Sequence, residues 1–143
     1  MTEKLMEIRD VTQRFRSAER EVVAVSRVSV QVDAGSVTCL VGESGSGKTT
    51  LARIAAGLDK PTAGSIHYRG QDISQLRGPG FMRFRREVQY VHQDPYASLN
   101  PRMTIGKIIG EPMEIHRTYS GAARERRVQE LLALVGLNPA FVN

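Results

Sequence analysis

The sequence is poor in cysteine and has no long apolar run. Its single cysteine, Cys39, excludes an intrachain disulfide and a cysteine-based metal cluster, and its place inside an apolar run predicts a small buried side chain in a reducing compartment. No uninterrupted apolar run approaches the roughly 18–20 residues that a membrane span needs. The N-terminus, MTEKLMEIRD, is charged and lacks the apolar stretch of a secretory signal. These absences predict a cytoplasmic chain.

The composition is that of a globular protein. Apolar residues make up 41% of the 143 residues and charged residues 24%, so the chain can build the packed core of one domain and disorder is not expected. The formal net charge is +5. A basic chain can bind nucleic acid, an anionic lipid surface or a polyphosphate ligand, and composition does not choose among these.

Several stretches carry the apolar patterns of β-strands. The predicted strands are 5–11, 27–35, 36–42 and 87–94, with a shorter strand inside 61–73. The stretch 36–42, SVTCLVG, is almost entirely apolar and β-branched. It therefore predicts a strand that is buried on both faces, as in a parallel sheet.

Three stretches show helical spacing of apolar residues. A first helix is predicted from Lys48, with Gly57 as its stop. The stretch 104–116 is weakly helical, with a break at Pro112. A third helix is predicted over 121–135, capped by Ser120 and followed by Gly136. Its apolar stripe consists of Val128, Leu131, Leu132 and Val135.

Residues 42–49, GESGSGKT, fit the phosphate-binding pattern G-x-x-x-x-G-K-[ST] between a predicted strand and a predicted helix. Glycines let successive backbone N–H groups turn toward phosphate oxygens, and the following helix directs its positive end at the same charge. Lys48 supplies an ammonium for the β- and γ-phosphates, and the Thr49 hydroxyl can ligate Mg²⁺. The candidate nucleotide-binding residues of the loop are Gly42, Glu43, Ser44, Gly45, Ser46, Gly47, Lys48, Thr49 and Thr50.

Two other nucleotide-binding classes do not fit. The dinucleotide fingerprint G-x-G-x-x-G lacks its third glycine, because Gly45-Ser46-Gly47 is followed by Lys-Thr-Thr. The Asn-Lys-x-Asp and Asp-x-x-Gly strings that a GTPase normally carries do not occur. The loop therefore predicts a nucleoside triphosphate site outside the GTPase class.

Beyond this loop, the chain resembles the ATP-binding subunit of ABC transporters. The segment 61–73, PTAGSIHYRGQDI, is similar to the family's segment after the phosphate-loop helix. The segment 88–105, VQYVHQDPYASLNPRMTI, resembles the Q-loop region of the oligopeptide and dipeptide permease ATPases. The resemblance extends from about Leu5 to Asn143.

The resemblance implies ATP and Mg²⁺ as cofactors and assigns roles to particular residues. Gln93 is the Q-loop glutamine that reaches Mg²⁺ and the attacking water, and with Lys48 it forms the candidate catalytic pair. Phe15 stacks on adenine. Tyr96 and Asn100 belong to the Q-loop. From the residues alone, Phe15 could equally be a surface or core aromatic, Gln93 a polar residue at a strand end, and the other two local turn residues.

The fold implied by the resemblance is α/β. It consists of a P-loop NTPase (ABC ATPase) core with an N-terminal antiparallel β-subdomain and the start of the helical subdomain, truncated. The nucleotide-binding core is predicted at 1–104 and the beginning of the helical subdomain at 105–143. The implied partners are transmembrane permease subunits, met through the Q-loop region, and a second ATP-binding subunit in a head-to-tail dimer. No nucleic-acid partner is expected, and the implied location is peripheral, on the cytoplasmic face of the inner membrane.

Several motifs that the family uses for hydrolysis do not occur in these 143 residues. None of the aspartates follows four consecutive apolar residues, as a Walker B aspartate does, and the Leu-Ser-Gly-Gly-Gln signature and the switch histidine are missing. We therefore expect the N-terminal part of an ABC ATPase, either a truncated product or a fragment, whose parent drives uptake of peptides or a related solute. The 143-residue chain alone is expected to lack ATP hydrolysis.

Two alternatives stand beside the transport hypothesis. The net charge of +5 gives mild support to a soluble ABC ATPase of DNA repair or translation, although a single cysteine argues against the zinc-binding insertion of the repair type. The missing motifs also fit a non-catalytic nucleotide-binding remnant. The arginines at 83, 85 and 86 are interpreted as a solvated face, since no aromatic platform repeats beside them.

Overall fold

The chain is described by a computed structural model that covers residues 3–16, 18, 20–94 and 99–142. It forms two compact units, Met1–Tyr90 and Val91–Asn143, and each is described by itself. Residues 95–98 of the predicted Q-loop, including Tyr96, lie outside the described residues.

The first unit is built on a four-stranded antiparallel sheet with the order β2-β1-β3-β4. The strands are β1 (Lys4–Arg16), β2 (Glu21–Asp33), β3 (Ala63–Tyr68) and β4 (Gln71–Asp72). The predicted strands at 5–11 and 27–35 and the short strand within 61–73 are confirmed. The β1–β2 hairpin extends beyond the prediction, because β2 begins at Glu21.

The middle strand β1 is irregular, and β3 fits against that irregularity. The register of β1 shifts between Ile8 and Val11, where Asp10 has φ 51°. A Cβ at Gly64 of β3 would lie 2.5 Å from the carbonyl oxygen of Asp10 and 2.6 Å from that of Arg9. Only glycine, without a Cβ and with φ 87°, permits this approach.

Helix α1 (Lys48–Ala55) packs against this sheet and ends as predicted. Its buried residues Leu51 and Ile54 join a hydrophobic core that also contains Ile8, Val11, Val25 and Ile66. Gly57, with φ 66°, follows the helix end. Beyond it, Arg53 donates hydrogen bonds of 2.7 and 3.0 Å to Asp59 and lowers the pKa of that carboxyl.

A short 3₁₀ turn (Ile73–Gln75) leads to helix α2 (Gly78–Glu87), which carries the arginine run. The ring of Phe84, 2% exposed, meets Tyr68 of β3 edge-on at a centroid distance of 5.5 Å. Arg85 lies over the Phe81 ring and donates to the carbonyl of Gly57 at 3.1 Å. Arg83 pairs with Glu87 at 2.8 Å. The side chains of Arg83 and Arg85 thus make contacts within the unit.

The predicted strand at 36–42 is wrong. These residues have no regular secondary structure, and Val37 and Val41 are 97% and 89% exposed. Cys39, predicted to be buried, is exposed as well. A strand of the parallel type needs a hydrogen-bonded neighbour and covered faces, and no described residue forms a ladder with this segment.

The predicted strand at 87–94 is also wrong. Glu87 is the last residue of α2, and the residues that follow have no regular structure; Val91 is 90% exposed. The cause is the same as at 36–42, since the apolar pattern has no pairing partner among the described residues.

The second unit contains α3 (Ile105–Ile115), α4 (Gly121–Leu134) and a 3₁₀ turn (Pro139–Val142). The predicted break at Pro112 is wrong, because α3 continues through it and the carbonyl of Pro112 accepts from His116 N at 3.0 Å. An interior proline costs about 3 kcal/mol or more in a helix. Burial of Met113 against Val128 and Leu132 offsets this cost.

Helix α4 begins at Gly121, as predicted, and ends at Leu134, one residue before the predicted end. Ser120 is the N-terminal capping residue, but its side chain makes no capping hydrogen bond. Gly136, with φ 76°, ends the helix as predicted, and its N–H donates to the carbonyl of Ala133. Val135 does not belong to the buried stripe, because it lies past the helix end and is 69% exposed.

Among the described residues, no helix is both long and apolar enough to cross a membrane.

Candidate nucleotide-binding site

The phosphate loop lies in the first unit and leads directly into α1. Gly45 and Gly47 have φ values of 82° and 89°, in the left-handed region that glycine adopts without strain. Gly47 is the residue before the helix, and Lys48 is its first residue. The two inner glycines of GESGSGKT thus turn the backbone around the space in front of the helix.

The loop rests on strand β2. A Cβ on Gly47 would collide with the carbonyl oxygen of Ala24 and lie 3.1 Å from Cγ2 of Val25. The sequence gives no signal for Ala24 and Val25 as supports of the loop, because the contact joins residues more than twenty positions apart. The β1–β2 hairpin therefore fixes where the loop begins its helix.

The close contact of Gly47 with strand β2 predicts different effects for two glycine-to-alanine changes. Both Gly47→Ala and Gly45→Ala force alanine into the left-handed region, which costs about 1–2 kcal/mol. Only Gly47→Ala adds the collision with Ala24, since nothing lies within 4 Å of a Cβ on Gly45. We expect Gly47→Ala to lose more stability and more nucleotide affinity than Gly45→Ala. Urea unfolding and nucleotide titration of both variants measure this, and equal losses would contradict the contact with β2.

The ammonium of Lys48 folds back over the loop. Its Nζ donates to the carbonyl oxygens of Gly42 at 2.8 Å and Glu43 at 2.6 Å, and to the hydroxyl of Ser46 at 3.2 Å. The positive charge is thereby held at the mouth of the loop.

The start of α1 adds a second source of positive potential. The first hydrogen bond of the helix runs from Leu51 N to the carbonyl of Gly47, at 2.9 Å. The N–H groups of the preceding helical residues, Lys48, Thr49 and Thr50, have no partner further back in the helix. Its first turn also carries no acidic residue. These donors suit an anion.

A cavity of about 270 Å³ runs along the loop, between the start of α1 and strand β2. Its lining includes Val25, Val41, Gly42, Ser46, Gly47 and Lys48. Backbone donors, a lysine ammonium and glycines that leave room for a close approach are the chemistry that a polyphosphate chain requires. The residues present therefore fit the phosphates of a nucleotide.

The other predicted site residues occupy different places. Thr49 is exposed and Thr50 half-buried on α1, while Glu43 and Ser44 are exposed in the loop. Phe15 is 48% exposed on β1 and pairs with Val22, two residues before Ala24 on β2. Its ring lies on the hairpin that supports the loop and is accessible to a ring that stacks on it.

The Q-loop residues belong to the second unit. Gln93 and Asn100 are exposed and lie outside regular secondary structure. The side-chain oxygen of Asn100 accepts a hydrogen bond from Arg102 N at 3.0 Å. This contact fits the alternative interpretation of Asn100 as a local turn residue. The contribution of Gln93 to the site remains a prediction.

Comparison with protein families identifies the family to which the chain belongs. The ABC transporter family matches residues 25–141, so the chain belongs to this family. The α/β fold is confirmed by the ATP-binding cassette MJ0796, solved as a dimer in a post-hydrolysis state bound to ADP and Pi. The chain superposes on MJ0796 with a TM-score of 0.78 and 27% identity, over 97% of this chain and 60% of that one.

Curated relatives are similar over nearly the whole chain. A protein of Bacillus subtilis named putative oligopeptide transport ATP-binding protein YkfD is 46% identical over 139 residues, which are 96% of this chain and 42% of that protein. The oligopeptide transport ATP-binding protein OppF of Streptococcus mutans is 43% identical, over 94% of this chain and 44% of its own length. The chain thus spans less than half the length of these relatives.

Proposed function

We propose that the chain is the ATP-binding part of an ABC importer subunit that couples ATP binding and hydrolysis to the uptake of peptides or a related solute. The observation that carries this proposal is the phosphate loop, with Lys48 held at its mouth and α1 directed at it. The relatives from Bacillus subtilis and Streptococcus mutans are named as oligopeptide transport ATP-binding proteins, which supports peptides as the solute class.

In this proposal, the loop holds the triphosphate of ATP. The backbone N–H groups of residues 43–49 and the ammonium of Lys48 donate to the β- and γ-phosphates. The Thr49 hydroxyl and the Gln93 amide oxygen are the side chains that would hold Mg²⁺, which neutralises charge on the transferring phosphoryl group. The exposed ring of Phe15 receives the adenine.

The proposed partners are transmembrane permease subunits, contacted through the Q-loop region, and a second ATP-binding subunit. The dimeric structure of MJ0796 supports the second partner. The proposed location is the cytoplasmic face of the membrane that holds the permease. Affinity purification from solubilised membranes tests this assembly. Recovery of permease subunits is expected, whereas recovery of nucleic acid would favour the DNA-repair or translation class.

We expect the 143-residue chain to bind ATP without turning it over. Hydrolysis requires a general base and carboxylates that position metal and water. Asp59, the first aspartate after α1 in the sequence, instead accepts two hydrogen bonds from Arg53. Phosphate release from the chain should therefore equal that of its Lys48→Ala variant. Turnover that survives purification and disappears in Lys48→Ala would contradict this expectation.

A further inference from the structure

The ammonium group of Lys48 has three N–H donors, and the loop already takes three hydrogen bonds from it. Two acceptors are backbone carbonyl oxygens, those of Gly42 and Glu43, and the third is the Ser46 hydroxyl. A phosphate oxygen that contacts this ammonium must therefore replace one of the three acceptors.

Ser46 is the acceptor that can leave most easily. Its hydrogen bond is the longest, at 3.2 Å against 2.8 and 2.6 Å for the carbonyl oxygens. If the ammonium stays in place, the hydroxyl turns away by rotation about one side-chain bond, whereas displacement of the Gly42 or Glu43 carbonyl requires movement of the backbone. Ser46 is also exposed, so its hydroxyl can form hydrogen bonds with water once its hydrogen bond with Lys48 is broken.

Gly42 leaves the space in which the Ser46 hydroxyl sits. A Cβ on Gly42 would lie 2.8 Å from Oγ of Ser46 and 3.5 Å from its Cβ. The hydroxyl is thus placed over the first glycine of the loop, beside the carbonyl that also accepts from Lys48. The Ser46 hydroxyl and the Gly42 carbonyl oxygen are thus both acceptors of the Lys48 ammonium.

We propose that Ser46 is a positioning residue: its hydroxyl accepts a hydrogen bond from the third N–H of Lys48 and gives up that N–H to a terminal phosphate oxygen of the ligand. The inference rests on the proposed function, because it concerns the same phosphate site. It assigns to Ser46 a competition with the ligand: the energy of its hydrogen bond to Lys48 is lost when phosphate binds. Removal of the hydroxyl should therefore strengthen polyphosphate binding.

The test is a calorimetric titration of the 143-residue chain and its variants with inorganic tripolyphosphate. Ser46→Ala should bind about two- to tenfold more tightly than the wild type, the range that corresponds to one net intramolecular hydrogen bond. Ser46→Thr, which keeps the oxygen, should bind as the wild type does. Ser36→Ala is the matched control, since the hydroxyl of Ser36 is exposed and donates to the carbonyl of Asp33 at 2.7 Å, outside the loop.

A double-mutant cycle with Lys48→Ala separates positioning from a general effect on the loop. If Ser46 acts through the lysine, Ser46→Ala gives no gain in the Lys48→Ala background. Equal or weaker binding by Ser46→Ala, a gain that persists without Lys48, or a gain in Ser46→Thr would each overturn the inference. Failure of the wild type to bind tripolyphosphate and ATP would instead overturn the proposed function.

Discussion

Ile54→Ala is expected to lower the free energy of unfolding by about 2–5 kcal/mol, the range for an isoleucine removed from a packed core. Ile54 is fully buried between α1 and the antiparallel sheet, where it belongs to the cluster with Val11, Val25 and Ile66. Truncation leaves a cavity in the contact that anchors the helix of the phosphate loop. Urea unfolding of the 143-residue chain measures the loss.

Val41→Ala is the matched comparison. Val41 is as apolar as the core residues, but it is 89% exposed, so the change should stay within about 0.5 kcal/mol of the wild type. A loss for Val41→Ala as large as that for Ile54→Ala would show that 36–42 is buried in the folded chain. It would also support the strand that the sequence pattern predicts for these residues.

Lys48→Ala is expected to weaken ATP binding about ten- to a hundredfold, because it removes a charge-assisted contact worth about 1.5–3 kcal/mol. The ammonium is already held at the mouth of the loop by the carbonyl oxygens of Gly42 and Glu43. Little further ordering of this side chain is therefore needed when the nucleotide binds. Equilibrium titration with ATP measures the change.

Lys60→Ala controls for the general loss of a positive charge. Lys60 is an exposed lysine of the same unit that lies beyond the end of α1. Its removal should leave the ATP affinity within about twofold, as expected for an exposed charge outside the site. Equal affinities of the wild type and Lys48→Ala would remove the basis for a phosphate site in this loop.

The phosphate loop can be located from the sequence because its signal is local. Each element of the pattern, from the glycines at 45 and 47 to the lysine at the start of α1, acts through backbone conformation or through its neighbours in the chain. The hairpin strands β1 and β2 are predicted for the same reason, since alternation of apolar residues reports one covered face. These parts agree with the structure.

Apolar patterns mislead where the conformation of a segment depends on pairing with residues elsewhere in the chain. Residues 36–42 have the composition of a strand buried on both faces, but no described residue pairs with them, and Val37 is 97% exposed. Pro112 gives the opposite error. Its local penalty predicts a break, while the packing of Met113 on α4 keeps the helix intact. Tertiary context decides both cases.

The candidate site, too, is only partly predictable from the sequence. The sequence names Lys48 and the glycines, but the support from Ala24 and the hydrogen bond from Lys48 to Ser46 are visible only in the folded loop. No pattern in the sequence separates Ser46 from Ser44, since both are serines between glycines of the same loop. Their difference lies in the direction of the lysine side chain.

The most direct test of the phosphate site is an amide NMR titration of the ¹⁵N-labelled chain with ATP. If the loop cradles the phosphates, the largest shift changes will fall on the amides of residues 43–50, and the Lys48→Ala variant will need about ten- to a hundredfold more ATP to reach the same change. Saturable changes that centre on α3 and α4 and leave residues 43–50 unmoved would contradict the account, because ATP would then bind this chain away from the loop.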